Sequence, residues 1–242
     1  MNPSRFSSWT RAALGVLAVT AAQYACAGVF SVTPVRIYMT PKDRAVAVTI
    51  TNEAGEPVVL QADIYEWRQS PEGEDQLTPS EDLILAPPVV KLTAKAKQVV
   101  RLARLQPPDA SRQLIYRMIL RELPEAGPSK GVSVPIALAL SMPVFITPQV
   151  AKHATSCTAL RNESGKIAVQ CANSGSAYAQ VREVVVRQNG QAVGRFEGGA
   201  YILPGARKRI PVEAANPIPV GALQLLVTFD DGATQTFDVP PT

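Results

Sequence analysis

Residues able to carry chemistry are scarce in this chain. Its 242 residues include one histidine, His153, and three cysteines, Cys26, Cys157 and Cys171. A zinc cluster needs several Cys or His ligands, and serine or cysteine catalysis needs a His beside the nucleophile. His153 has no Gly-x-Ser-x-Gly context and falls in a stretch read below as a linker, where a solvated side chain is expected. This inventory excludes most enzyme classes and gives no reason to expect a metal or cofactor. The chemistry left to the chain is that of charge, disulfide pairing and exposed backbone.

Arg5 and Arg11 precede an apolar run of eleven residues from Ala12 to Ala22, and Ala25-Cys26-Ala27 before Gly28 fits the small-x-small cleavage rule. The run is shorter than the roughly 20 residues a membrane helix needs. Residues 1–27 therefore read as a secretory signal peptide cleaved after Ala27. No later stretch is long enough for stable membrane insertion. Cleavage removes two Arg and no acid, so the formal charge falls from +4 to +2, which makes no case for nucleic acid. The basic cluster Arg207-Lys208-Arg209 follows Leu203-Pro204-Gly205 and reads as a solvated turn.

Export also removes Cys26 and leaves an even pair in an oxidising compartment. The midpoint of Cys157 and Cys171 is Ser164. A three-residue loop Glu163-Ser164-Gly165, with Gly165 in the left-handed conformation, sets the two cysteines opposite each other across a hairpin. A cross-strand disulfide is expected, worth about 3 kcal/mol on chain-entropy grounds.

The elements around these residues read as strands. Val46, Val48 and Ile50 alternate with smaller or polar residues; Val58–Trp67, Leu83–Leu92, Gln98–Leu105 and Gln113–Leu123 follow, each bounded by Pro, Gly or acidic punctuation. No segment sustains helical periodicity over three turns. A second series follows Pro148: the Cys hairpin, Gln180–Gln188, Gln191–Phe196, Tyr201–Leu203, Lys208–Val212, Leu223–Phe229 and Thr234–Val239, with Asn189-Gly190 and Asp231-Gly232 as hairpin turns. The fold class is all-β, with one sandwich over 28–148, a smaller one over 149–242, and a linker around Thr147–Thr155.

One segment stands apart. From Val132 to Ile146 every even residue is a sizeable apolar one: Val132, Val134, Ile136, Leu138, Leu140, Met142, Val144, Ile146. At about 3.3 Å per residue such a strand reaches roughly 50 Å, against 17–20 Å for an ordinary one. A core strand running between two domains is the plain reading. Pro135 and Pro143 share one parity, however, so both missing N–H groups fall on one flank, which argues for an edge. An exposed apolar edge is an aggregation hazard unless a partner pairs with it, and strand addition is then its natural use.

The chain at this point resembles the periplasmic chaperones of the chaperone–usher pilus pathway. The resemblance rests on Pro34-Val35-Arg36-Ile37-Tyr38 before the first strand, Ala86-Pro87-Pro88-Val89-Val90, Gln98–Leu102, Tyr116–Pro124, Ile136–Pro148 and Tyr201-Ile202-Leu203-Pro204-Gly205, in the family's order over nearly all of 28–242. It implies two immunoglobulin-like sandwiches in an L shape, a periplasmic location, and partners that are pilus subunits and an outer-membrane usher. Such chaperones lend a strand to subunits whose own sandwich lacks one. Val132, Val134, Ile136, Leu138 and Leu140 match the donated side chains. Burying four of them at about 1.5–3 kcal/mol each gives roughly 6–12 kcal/mol gross.

In the family an Arg and a Lys in the cleft grip the subunit's terminal carboxylate. Arg36 matches the Arg, and a guanidinium suits the task through its two-pronged donors. The Lys position falls on Pro143, and the Arg that ties the domains in the better-known branch falls on Thr147. These departures resemble the archaic, non-classical branch. Arg101 or Arg117 is a candidate to share the anchor, with structural roles at the core edge as the alternative. The competing function is a secreted two-domain adhesin or surface-binding module, which would bind through loops.

Overall fold

The structure is a computed structural model that describes residues 30–107, 111–123, 137–162 and 165–241, and these hold strands, turns and loops with no helix. Residues 1–27, and with them the signal sequence and Cys26, lie outside the described residues, as do Val132, Val134 and Ile136.

Ten strands build the first sandwich: β1 (Phe30–Thr33), β2 (Ile37–Met39), β3 (Ala45–Asn52), β4 (Val58–Gln69), β5 (Asp75–Pro79), β6 (Leu83–Ala86), β7 (Val89–Leu92), β8 (Lys97–Arg104), β9 (Leu114–Glu122) and β10 (Ala139–Ile146). One sheet runs β1-β3-β8-β6 and the other β2-β10-β9-β4-β5, with β7 also on β4. The period-2 pattern of β3 turns Val48, Ile50 and Asn52 inward, where they meet Leu60, Leu102, Met118 and Leu120 in one fully buried core. Truncating a side chain such as Leu120 to Ala there costs about 2–5 kcal/mol.

Prolines redirect the chain where the sequence suggests continuity. Leu83–Leu92 is two strands in different sheets, because Pro87 and Pro88 offer no N–H to a ladder. The segment Pro34–Tyr38 likewise does not precede the first strand. β1 ends at Thr33, the chain crosses sheets at Pro34-Val35-Arg36, and Ile37 and Tyr38 open β2.

The second sandwich consists of β11 (Thr155–Arg161), β12 (Ile167–Asn173), β13 (Ala179–Gln188), β14 (Gln191–Ile202), β15 (Arg207–Pro211), β16 (Leu223–Phe229) and β17 (Thr234–Val239). Its sheets run β11-β12-β15 and β14-β13-β16-β17. Cys157 and Cys171 are direct cross-strand partners joined by a disulfide, and Gly165 has φ +76°. Asn189-Gly190 and Asp231-Gly232 close the β13–β14 and β16–β17 hairpins as expected. Two expected strands are one: β14 continues through Gly198-Gly199, which face Arg182 alone in a bulge between the Val181–Ala200 and Glu183–Glu197 pairs. Arg207-Lys208-Arg209 is not a turn but β15; the turn is Leu203–Ala206 just before it.

Each sandwich carries the same buried polar device. Asn52 Nδ2 donates to the Glu56 and Thr93 carbonyls, and its Oδ1 accepts from the Ala54 N–H. Asn173 repeats this with the Ala177 and Ile202 carbonyls and the Gly175 N–H. Both asparagines are buried, and each amide meets its hydrogen-bonding needs on backbone groups of the adjoining turns and strands.

Candidate functional site

The free edge comes first. β10 pairs antiparallel with β9 over all of Ala139–Ile146, but parallel with β2 only at Val144–Ile146. The flank of Ala139–Pro143 opposite β9 therefore has no strand beside it among the described residues. Hydrogen bonding fixes which residues face it. The Glu122 N–H donates to the carbonyl of Leu138, its opposite number in register, at 2.9 Å, so even residues bond to β9. The Thr147 N–H donates to the Met39 carbonyl at 2.9 Å, so odd residues bond toward β2. Ala139 and Ser141 accordingly present their backbone groups outward, and Pro143 has no N–H to present there.

Side chains divide by the same parity. Met142, Val144 and Ile146 are buried in the first core, while Leu138 and Leu140 pack against its rim and stay partly exposed. The apolar row thus runs out of the core and into the open edge. The described strand begins at Ala139, one residue after the Leu138 carbonyl that bonds Glu122, and Val132–Ile136 lie outside the described residues.

The odd face of β10 builds the junction with the second sandwich. Phe145, fully buried, stacks on Tyr178 with ring centroids 3.9 Å apart and on Tyr38 at 5.7 Å. Trp67, Ile115 and Leu203 complete the cluster, with Tyr201 edge-on to Trp67 at 5.2 Å. Two guanidiniums enter this aromatic cleft. Arg36, in the bend before β2, lies 5.9 Å from the Tyr201 centroid; Arg117, from β9, lies 5.6 Å from the same ring and 3.6 Å above Trp67. Both are placed for cation–π attraction. Arg117 is the cross-strand partner of Pro143. Burial lowers its pKa, with Asp75 and Tyr201 opposing, yet a guanidinium there keeps its charge.

Arg36 has a carboxylate partner. Its Nη1 donates to Asp230 Oδ2 at 3.2 Å, the same oxygen that accepts the Tyr178 hydroxyl at 2.8 Å, and the Tyr178 and Tyr38 hydroxyls are 3.0 Å apart. Burial and these hydrogen bonds push the Tyr178 phenol well above its ordinary range. A cleft of about 350 Å³ beside them is lined by Tyr38, Gln113, Tyr178, Asp230 and the exposed His153. The third candidate, Arg101, is elsewhere: it faces solvent from β8 in the other sheet, across from Ala47 and Ala86. The structure brings Arg36 and Arg117 together and leaves Arg101 out.

Sequence reasoning missed the clamp that sets this cleft. The tip of the β4–β5 hairpin docks on β15: the Arg207 N–H donates to the Pro71 carbonyl at 3.0 Å and Lys208 Nζ to the Gly73 carbonyl at 2.6 Å. Gln69 accepts from the Leu203 N–H at 2.8 Å and donates to the Tyr201 carbonyl at 3.1 Å. Gly73 has φ +87°, and a Cβ there would run into the Arg207 carbonyl. Gln113 adds a second tie, accepting from the Tyr178 N–H at 2.8 Å and donating to Thr147 Oγ1 at 2.6 Å. The available signal was Ser70-Pro71-Glu72-Gly73-Glu74, a turn sequence following the Val58–Trp67 strand.

Residues 29–152 match the family of pili and flagellar-assembly chaperones through its PapD N-terminal domain, which is just over half of the chain. The chain belongs to this family. No curated protein matches the chaperone in sequence. Its fold is shared with solved structures of low identity. The chaperone of the archaic Csu pili of Acinetobacter baumannii, solved with its tip adhesion subunit, is 18% identical with a TM-score of 0.64, over 88% of this chain and 98% of that one. The E. coli chaperone DraB is 17% identical, TM-score 0.59, over 88% and 96%. The Pseudomonas aeruginosa CupB2 chaperone is 18% identical, TM-score 0.57, over 88% and 100%. The two sandwiches are accordingly immunoglobulin-like domains of a pilus assembly chaperone. No helix among the described residues of this chaperone is long and apolar enough to cross a membrane, and no group of three or more His, Cys, Asp or Glu there is placed to hold a metal.

Proposed function

We propose that this chaperone captures pilus subunits in the periplasm by lending them its β10 edge, and passes them to an outer-membrane usher, as an archaic-branch member. The observation that carries the reading is the unpaired flank of Ala139–Pro143 with Leu138 and Leu140 emerging from the core beside it. A subunit short of one strand would pair with the outward backbone groups of Ala139 and Ser141. Its own core would take the even side chains Val132, Val134, Ile136, Leu138 and Leu140. The mature protein is taken as a 28–148 domain bearing the edge and a 149–242 domain, after removal of residues 1–27. The subunit's terminal carboxylate would be held in the cleft by Arg36 and Arg117, with Arg117 supplying the charge that the family places at the position of Pro143.

The test is isolation from a periplasmic extract of cells expressing a pilus operon. The expected result is a one-to-one complex with a pilus subunit that is degraded when the chaperone is deleted. A chaperone that purifies alone, with subunits persisting in its absence, overturns the proposal and favours the surface-binding alternative.

A further inference from the structure

Arg36 already holds a carboxylate, and that carboxylate belongs to the second sandwich. Asp230 follows β16 directly, in a turn fixed by its own N–H to the Gln180 carbonyl at 3.1 Å and by the Phe229 N–H to the Ala233 carbonyl at 2.9 Å. The side chain is thereby presented to Arg36 from a rigid base. The contact itself is weak for a charged pair. It uses one guanidinium nitrogen at 3.2 Å, longer than the roughly 2.7–2.9 Å of a good charge-assisted bond, and leaves the two-pronged geometry unused. Asp230 also has a second donor in Tyr178 at 2.8 Å, so losing Arg36 would not strand it.

We propose that Asp230 is an internal stand-in for the subunit's terminal carboxylate, and that capture exchanges one carboxylate for the other on Arg36. This inference rests on the reading of Arg36 as an anchor. The incoming group gains a forked contact that Asp230 does not make. Asp230 falls back on the Tyr178 hydroxyl, which the Phe145 stack and the Tyr38 hydroxyl hold in place. In the free chaperone the pair keeps a cleft arginine neutralised, so the site is selective for a partner that brings both a strand and a carboxylate. Because Arg36 and Asp230 come from different sandwiches, the exchange also releases one tie between them.

The test uses the mature full chain and one synthetic peptide of alternating Val and Thr, labelled at its N-terminus and made with either a free C-terminal carboxylate or an amide. Fluorescence anisotropy gives the ratio of acid to amide affinity. The ratio is expected to exceed one for the unmodified chaperone, and to rise about two- to fivefold in Asp230→Asn, where the competing charge is gone. In Tyr178→Phe it should fall, because displaced Asp230 has lost its second donor. An unmodified chaperone that does not distinguish acid from amide overturns the anchor reading itself. One that does distinguish them, with a ratio unchanged or lowered in Asp230→Asn, overturns the exchange alone. Should Asp230→Asn not fold, a ratio in Tyr178→Phe that is unchanged or raised does the same.

Discussion

Arg117 stands directly across the ladder from Pro143, and its guanidinium lies over Trp67 in the cleft that also receives Arg36. Cross-strand partners project from the same face with Cβ atoms about 5 Å apart, so a charge carried by one position can be supplied by the other. A proline at position 143 is thereby compatible with two cations in the cleft. The proline gains something as well, since it removes a donor at the inner end of the open flank.

The proposed anchor role of Arg117 leads to a rescue experiment. Arg117→Ala should weaken subunit capture about ten- to a hundredfold, the value of one charge-assisted contact of about 1.5–3 kcal/mol, and Arg36→Ala should do likewise. Adding Pro143→Lys to Arg117→Ala should recover most of the loss. Titration of subunit binding by the three variants checks this. Normal capture by Arg117→Ala, or no recovery in the double variant, would place the second cation elsewhere.

Strand donation makes a demand on the even row. Ile136→Asp should abolish capture while the free chaperone keeps its fold and melting temperature, because an unpaired carboxylate in an apolar groove costs several kcal/mol. Pull-down of subunit and a thermal melt run together are the check. A variant that captures normally contradicts donation, and one that fails to fold returns Val132–Ile146 to an ordinary core strand.

The interdomain clamp can be opened without touching the cleft residues. Gly73→Ala adds a Cβ against the Arg207 carbonyl in a left-handed backbone, and it should cost about 1–3 kcal/mol where the hairpin tip meets β15. Small-angle scattering should show a broader distribution of domain orientations than in the unmodified chaperone. Unchanged scattering and stability would mean that the Pro71 and Gly73 contacts do not hold the cleft.

Local chemistry carries far in this chain. Alternation gave the cores of both sandwiches, and the spacing of Cys157 and Cys171 about Ser164 sufficed for their pairing, because a hairpin with a three-residue loop permits only one register. Pro135 and Pro143 marked one flank; Pro135 lies outside the described residues, and Pro143 is buried just before the Val144–Ile146 stretch that pairs with β2. What escaped depends on partners distant in sequence. Gly198-Gly199 reads as a break, yet a bulge opposite Arg182 absorbs the extra residue. Lys208 reads as solvated, yet its ammonium reaches a carbonyl 135 residues away. Arg36 and Asp230, 194 residues apart, meet only because the two sandwiches close on Phe145. Nothing local to Arg117 tells it apart from Arg101; the difference is which sheet each strand joins.

The central claim is that a subunit pairs with the outer flank of β10, and amide hydrogen exchange resolved to single residues tests it most directly. In the free chaperone the amides of Leu140 and Met142, bonded to β9, should exchange slowly, while those of Ala139 and Ser141 exchange fast. On subunit capture Ala139 and Ser141 should become protected by at least tenfold, and Leu140 and Met142 should change little. Unchanged fast exchange at Ala139 and Ser141 in a stoichiometric complex would contradict the account.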